Sequence, residues 1–215
     1  METTVIFDLD GVLVDSRAAI AGCMNHALTV IGRPTHPEAD LHSYIGPPIS
    51  HSFGELLGRA PEHAEVAAMM AAYRDRYATV SLTATTVEPG IPDALDVLSQ
   101  SHRLAVATSK PTAFAEPLLD AVGLSAYFDV IAGPGLDEHA EPKTETVRVA
   151  LARLGPTRAV MVGDRSFDVV GAHANRLPAI GVTWGIGTPH ELRDAERLID
   201  APAELSAAVA DLLGE

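Results

Sequence analysis

The hydrophobic pattern of the chain alternates between short apolar runs and longer stretches with helical spacing. The short runs are continuously apolar and cover residues 4–7, 103–108, 158–163 and 178–183. Such runs are typical of strands buried on both faces of a parallel sheet. Helical spacing follows at residues 111–122, 144–154, 167–174 and 200–213. This alternation predicts an α/β protein with a parallel sheet.

One long span between the first two runs breaks the alternation. Residues 16–84 contain no convincing strand, and Ile20, Met24 and Leu28 in its first part stand at helical spacing. Val66, Met69, Met70, Tyr73 and Tyr77 repeat that spacing further on. We therefore predict that residues 16–84 form an inserted helical domain, and that residues 1–15 and 85–215 form the sheet domain.

Composition and charge narrow the classes of partner. The formal net charge is −14, which repels nucleic-acid polymers and anionic membrane surfaces. The single cysteine, Cys23, has no partner for an intramolecular disulfide. No apolar run approaches the roughly 20 residues that span a bilayer, and the N-terminus does not resemble a signal peptide. We expect a cytoplasmic protein that binds neither nucleic acid nor membrane, as a monomer or homodimer.

Two carboxylates follow the first apolar run. In an extended segment, residues i and i+2 point the same way, so Asp8 and Asp10 can share one site. One carboxylate can attack phosphorus to give an aspartyl-phosphate, while the other moves protons. The alternative is that both residues simply end a strand and begin a turn.

Three further groups of polar residues lie at the ends of later strands or the starts of later helices. Thr108 and Ser109 could donate to a phosphate oxygen or merely cap the next helix. Lys143 could neutralise a transferring phosphoryl group or be a solvated lysine. Asp164 and Asp168 offer the oxygen ligands that Mg²⁺ prefers, or they stabilise a helix start.

Together these motifs resemble the haloacid dehalogenase superfamily over nearly the whole chain. The sequence FDLDGVLVDS, Thr108, Lys143 and the sequence GDRSFD stand in the order of its four motifs. The resemblance implies a Rossmann-like core with a helical C1-type cap, Asp8 as nucleophile and Asp10 as general acid and base. It also implies that Thr108 and Lys143 bind the phosphoryl group. Mg²⁺ would be held by Asp8, the Asp10 backbone carbonyl and Asp164. Asp168 would either bind the ion directly or contact one of its ligands.

Tyr44, Gly46 and Pro47 resemble a cap loop of phosphoglycolate phosphatases and 5′-nucleotidase-like members, where they would contact substrate. The alternative is a plain turn between helices. Two residues depart from the commonest pattern of the superfamily: Val12 follows Gly11, and no proline follows Lys143. Neither departure removes a proposed catalytic group.

The sequence thus favours Mg²⁺-dependent hydrolysis of a small phosphorylated metabolite, such as phosphoglycolate. A 5′-nucleotidase and a β-phosphoglucomutase-like phosphomutase are the alternatives. A dehalogenase would need neither Mg²⁺ nor an acid at Asp10. A non-catalytic interaction protein of this fold would be expected to have lost at least one of Asp8, Asp10, Lys143 or Asp164, and all are present.

Overall fold

The computed structural model describes residues 2–136 and 142–214. The strands within this part are β1 (Thr3–Phe7), β2 (Val14–Asp15), β3 (Thr86–Val87), β4 (Arg103–Ala107), β5 (Val130–Ala132), β6 (Arg158–Gly163), β7 (Ala179–Val182) and β8 (Arg197–Ile199). The helices are α1 (Arg17–Val30), α2 (Glu38–Leu41), α3 (Ile49–Leu57), α4 (Ala64–Ala84), α5 (Ile91–Leu98), α6 (Thr112–Ala121), α7 (Lys143–Leu154), α8 (Ser166–Ala174) and α9 (Leu205–Leu213). No helix among these residues is long and apolar enough to cross a membrane.

Six strands form one parallel sheet in the order β5-β4-β1-β6-β7-β8. β1 lies inside the sheet, where Val5 pairs with Leu104 of β4 on one side and Val160 of β6 on the other. Because all six strands run the same way, their carboxyl ends meet at one edge. The first strand therefore ends between two others, which is the switch point where open α/β sheets bind ligands.

Apolar residues cover both faces of this sheet. Val5 and Phe7 pack into one core cluster, together with α5, α6 and α9. Ile6 points to the opposite face and packs into a second cluster with α7 and α8. Burial on both faces explains why the strands are continuously apolar rather than alternating. The predicted α/β fold with a parallel sheet is confirmed.

Helices α1 to α4 lie between β2 and β3, which pair in antiparallel fashion and join this helical insertion to the sheet. The insertion has its own apolar cluster, which contains Met24, Leu28, Val66 and Met69. Tyr73 extends it by an edge-on contact with Phe53, at 5.4 Å between ring centroids. The apolar residues that stand at helical spacing thus pack α1 against α4. The division into domains at residues 15/16 and 84/85 stays a prediction.

The structure corrects two details. Strands β5 and β8 have no counterpart in the sequence prediction, because three-residue strands give too short a pattern. The last helix begins at Leu205 rather than at residue 200. The carboxylate of Glu204 accepts from the backbone N–H groups of Asp200 and Ala201, both at 3.0 Å. These bonds and Pro202 give a 3-10 turn before the helix.

Candidate active site

The site begins where β1 ends. The Asp8 amide donates to the Val162 carbonyl at 2.9 Å, which extends the sheet by one residue and fixes the buried Asp8 at its edge. Gly11 then adopts φ +85°, and a Cβ there would overlap Oδ2 of Asp164. Only glycine allows both this conformation and this approach. The turn after β1 is thereby packed directly on the carboxylate at the end of β6.

Three buried carboxylates converge at this edge: Asp8, Asp164 and Asp168 each place an oxygen within 4.8 Å of the others. Oδ2 of Asp164 accepts from the Ile186 amide at 2.7 Å, while its buried Oδ1 has no partner among the described residues. Oxygen donors of this kind, with one unsatisfied and buried, fit a hard divalent cation. The arrangement therefore has the chemistry of a cation site.

Lys143 lies against this acidic group at the first position of α7. Its buried Nζ donates to Asp8 Oδ1 at 2.6 Å and pairs with Asp168 Oδ1 at 2.7 Å. Burial lowers the pKa of Lys143, but the charges of Asp168 and Asp8 and their hydrogen bonds more than offset this, so its pKa lies above the usual value. Lys143 is therefore a permanent cation beside Asp8.

The carboxyl groups of Asp8 and Asp164 titrate well above the usual range. Burial raises the pKa of Asp8 to about 6, although Lys143 opposes the shift and Asp168 adds to it. Burial and the charges of Asp168 and Asp8 raise the pKa of Asp164 to about 8. These shifts report unfavourable crowding of negative charge, which a bound cation would relieve.

Asp10 lines the same cavity as Asp8 but has its own set of hydrogen-bond partners. Its Oδ1 accepts from Ser16 Oγ and from Lys110 Nζ, both at 2.6 Å. Lys110 also donates to the Tyr77 hydroxyl at 2.6 Å, and Tyr77 lies on α4 of the insertion. A buried chain of hydrogen bonds therefore joins Asp10 to the insertion. The two acids of the first motif have separate surroundings.

Thr108 and Ser109 follow β4, next to the end of β1. Thr108 is buried, and its Oγ1 accepts from the Lys110 amide at 3.1 Å. Both residues line the same cavity as Asp8 and Asp10. The structure thus brings the predicted phosphate-binding hydroxyls to the predicted carboxylates.

This cavity has a volume of about 100 Å³ and lies between the sheet edge and the helical insertion. Tyr44, Gly46 and Pro47 line it, and their predicted contact with substrate stays a prediction. Gly46 has φ +112°, and a Cβ there would come within 3.1 Å of Nη1 of Arg165. That guanidinium donates to the Ile45 carbonyl, so the loop is attached to the sheet domain.

Sequence reasoning missed four residues at this site. Lys110 follows Ser109 directly and Arg165 follows Asp164, so position next to a motif could have identified both. Tyr77 and Arg74 on α4 also line the cavity. Tyr77 belongs to the series of apolar residues at helical spacing in α4, and Arg74 belongs to no motif. Their contact with the site is therefore visible only in the folded structure.

Residues 5–182 match the family model for haloacid dehalogenase-like hydrolases. The chain belongs to this family. This haloacid dehalogenase-like hydrolase is 37% identical over 220 residues to the probable phosphatase IndB of Dickeya dadantii, covering 99% of the chain and 96% of that relative. The crystal structure of a "predicted phosphatase" from Clostridium acetobutylicum superimposes with a TM-score of 0.92 at 34% identity, covering 99% of this chain and 100% of that one.

Other relatives carry different names. The tyrosine-protein kinase PtkA of Mycobacterium tuberculosis is 42% identical over 85% of this chain, which spans 62% of PtkA. A 5′-nucleotidase of Pseudomonas aeruginosa is 35% identical, covering 88% of the chain and 86% of the relative. A phosphoglycolate phosphatase of Cupriavidus necator is 33% identical, covering 95% of the chain and 92% of the relative. The predicted family and phosphatase-type hydrolase are confirmed.

Proposed function

We propose that this hydrolase cleaves a small phosphomonoester with Mg²⁺, through an aspartyl-phosphate formed on Asp8. One observation carries the proposal: Asp8 faces a ligand-sized cavity while Lys143 and two further buried carboxylates crowd around it. A nucleophilic carboxylate needs such a cation beside it when an anionic phosphoryl group approaches. Thr108 and Ser109 supply hydroxyl groups at the same edge.

In the first step, Lys143 holds Oδ1 of Asp8, and Oδ2 attacks phosphorus while the bond from phosphorus to the leaving oxygen breaks. Asp10 gives its proton to that oxygen. Ser16 and Lys110 hold Oδ1 of Asp10, so we assign proton transfer to its Oδ2. In the second step Asp10 takes a proton from water, which attacks the aspartyl-phosphate and releases phosphate from Asp8.

Asp8, Asp164 and the Asp10 backbone carbonyl would hold Mg²⁺, which would supply positive charge to stabilise the negative charge of the phosphoryl group. Asp168 fits a different role. Its Oδ1 pairs with Lys143, the cation that also holds Asp8, and its Oδ2 accepts from the Arg165 amide at 3.0 Å. We therefore propose that Asp168 positions Lys143 against Asp8.

Phosphoglycolate-like substrates are the class we favour. The cavity of about 100 Å³ accommodates a phosphoryl group with a short carbon chain. A relative named phosphoglycolate phosphatase aligns over 95% of the chain. The relative named 5′-nucleotidase keeps nucleoside monophosphates as the second candidate. For either substrate, residues 16–84 would act as a lid domain that excludes water from the reaction.

Phosphate release from p-nitrophenyl phosphate, 2-phosphoglycolate and nucleoside monophosphates tests the proposal. We expect Mg²⁺-dependent release that falls by several orders of magnitude in Asp8→Asn, while Asp120→Asn on the surface stays at the wild-type rate. An isomerised sugar phosphate without free phosphate would instead indicate the phosphomutase. Wild-type turnover by Asp8→Asn would refute the mechanism.

A further inference from the structure

Helix α4 places a cationic side chain, Arg74, on the wall of the cavity. The proposed reaction gives this side chain no role. Arg74 lines the same cavity as Asp8 and Asp10. Its Nε is buried and has no hydrogen-bond partner among residues 2–136 and 142–214. Buried guanidinium donors are nearly always paired, because an unpaired one loses hydration without compensation. The side chain of Arg74 is half-buried as a whole, and this buried Nε–H is suited to donate to a group that enters the cavity.

The carboxylates of the site do not supply an acceptor for Arg74 Nε. Asp10 is paired with Lys110, and Asp8 is paired with Lys143. No ion pair joins Arg74 to an acid within the described part of the chain. A carboxylate from outside the protein would supply the missing acceptor.

The rest of the wall restricts what the ligand can be. Tyr77 stands three residues after Arg74, on the same side of α4, and its hydroxyl is occupied by Lys110. The other lining residues of the insertion are uncharged: Ile20, Tyr44, Ile45, Gly46, Pro47, Pro48, Ile49, Ser50, Met70 and Tyr73. One guanidinium among uncharged residues matches a single negative charge, and its planar fork matches a carboxylate.

We propose that Arg74 binds a carboxylate of the substrate, so that this hydrolase selects short phosphomonoesters that carry a carboxylate a few atoms from phosphorus. The inference rests on the proposed function and adds the residue that sets substrate specificity. Arg74 is a binding residue in this scheme and takes no part in bond breaking. Its contribution is expected mainly in KM, because the carboxylate is equally charged before and during phosphoryl transfer.

The test compares kcat/KM for 2-phosphoglycolate with that for 2-hydroxyethyl phosphate, its analogue without the carboxylate, in wild type, Arg74→Gln, Arg74→Lys and Arg76→Gln. Arg76 is the matched control, because it lies exposed on the same helix. The wild type should prefer 2-phosphoglycolate. In Arg74→Gln the ratio of the two constants should fall about 10- to 100-fold, the range for a hydrogen bond to a charged group. Arg74→Lys should keep part of the wild-type ratio, and Arg76→Gln should leave it unchanged.

Two results would overturn the inference: a wild type that prefers 2-hydroxyethyl phosphate, or a ratio that Arg74→Gln leaves unchanged, which includes equal losses on both substrates. Equal losses would assign Arg74 a structural role, which a lowered melting temperature would also report. Failure of the proposed function looks different. In that case wild type would release no phosphate from any substrate, including p-nitrophenyl phosphate, whatever residue stands at position 74.

Discussion

Replacing Lys143 with methionine is the sharpest test of how the acidic group is held together. The substitution keeps the apolar stem of the side chain and removes its ammonium group. Nζ of Lys143 lies 2.6 Å from Asp8 Oδ1 and 2.7 Å from Asp168 Oδ1, and its side chain is only 4% exposed. The variant therefore leaves two buried carboxylates without their shared cation.

Removal of one partner from a buried ion pair costs about 3–5 kcal/mol, because the remaining charge is buried and uncompensated. Total stability is about 5–15 kcal/mol for a folded protein, so the variant should fold but be much less stable. Protonation of Asp8 in the folded variant reduces this loss of stability. Without Lys143 the already raised pKa of Asp8 rises further, so the folded variant holds a proton that the unfolded chain releases above its usual pKa of 3.8. Stability of the variant must then fall as pH rises.

Urea unfolding followed by circular dichroism, with EDTA present, measures the effect. At pH 8 the free energy of unfolding should drop by about 3–5 kcal/mol, and at pH 5.5 by at least about 1 kcal/mol less. The double variant Lys143→Met/Asp168→Asn should recover part of the loss, because one orphaned charge is gone. A loss under about 1 kcal/mol at pH 8, or a loss independent of pH, would refute the reasoning.

Three further predictions concern the metal, the insertion and the loop after β7. Mg²⁺ should raise the melting temperature more at pH 8 than at pH 5.5, since protons compete for Asp8 and Asp164, whose pKa values are raised; equal shifts would contradict this. Phe53→Ala should lower the free energy of unfolding in urea by about 3–5 kcal/mol, because Phe53 is fully buried. A loss below about 1 kcal/mol would show that the insertion repacks to fill the space left by the ring. Gly187→Ala should weaken Mg²⁺ binding in calorimetry, because a Cβ there would overlap the Asp164 carbonyl oxygen; unchanged affinity would exclude this coupling.

Much of the site could be predicted from the chain itself. Asp8 and Asp10 follow a buried strand, and Thr108 and Asp164 stand at the ends of later strands. Parallel strands bring their carboxyl ends to one edge whatever their separation along the chain, so the residues that follow them can be grouped into one site from the sequence alone. The helical spacing of residues 16–84 similarly predicts an apolar face that needs a partner helix.

Tertiary structure decided which side chains meet. Asp10 lies 100 residues from Lys110, and Lys110 lies 33 residues from Tyr77, yet one chain of hydrogen bonds joins them. Arg74 reaches the cavity because α4 packs over the sheet edge, which its local sequence does not specify. The spacing of residues determines which face of a helix is apolar, whereas the packing of that helix on its neighbours determines which polar side chains reach the site. The ends of the strands that carry the site could therefore be predicted from sequence, and the contacts between the insertion and the sheet could not.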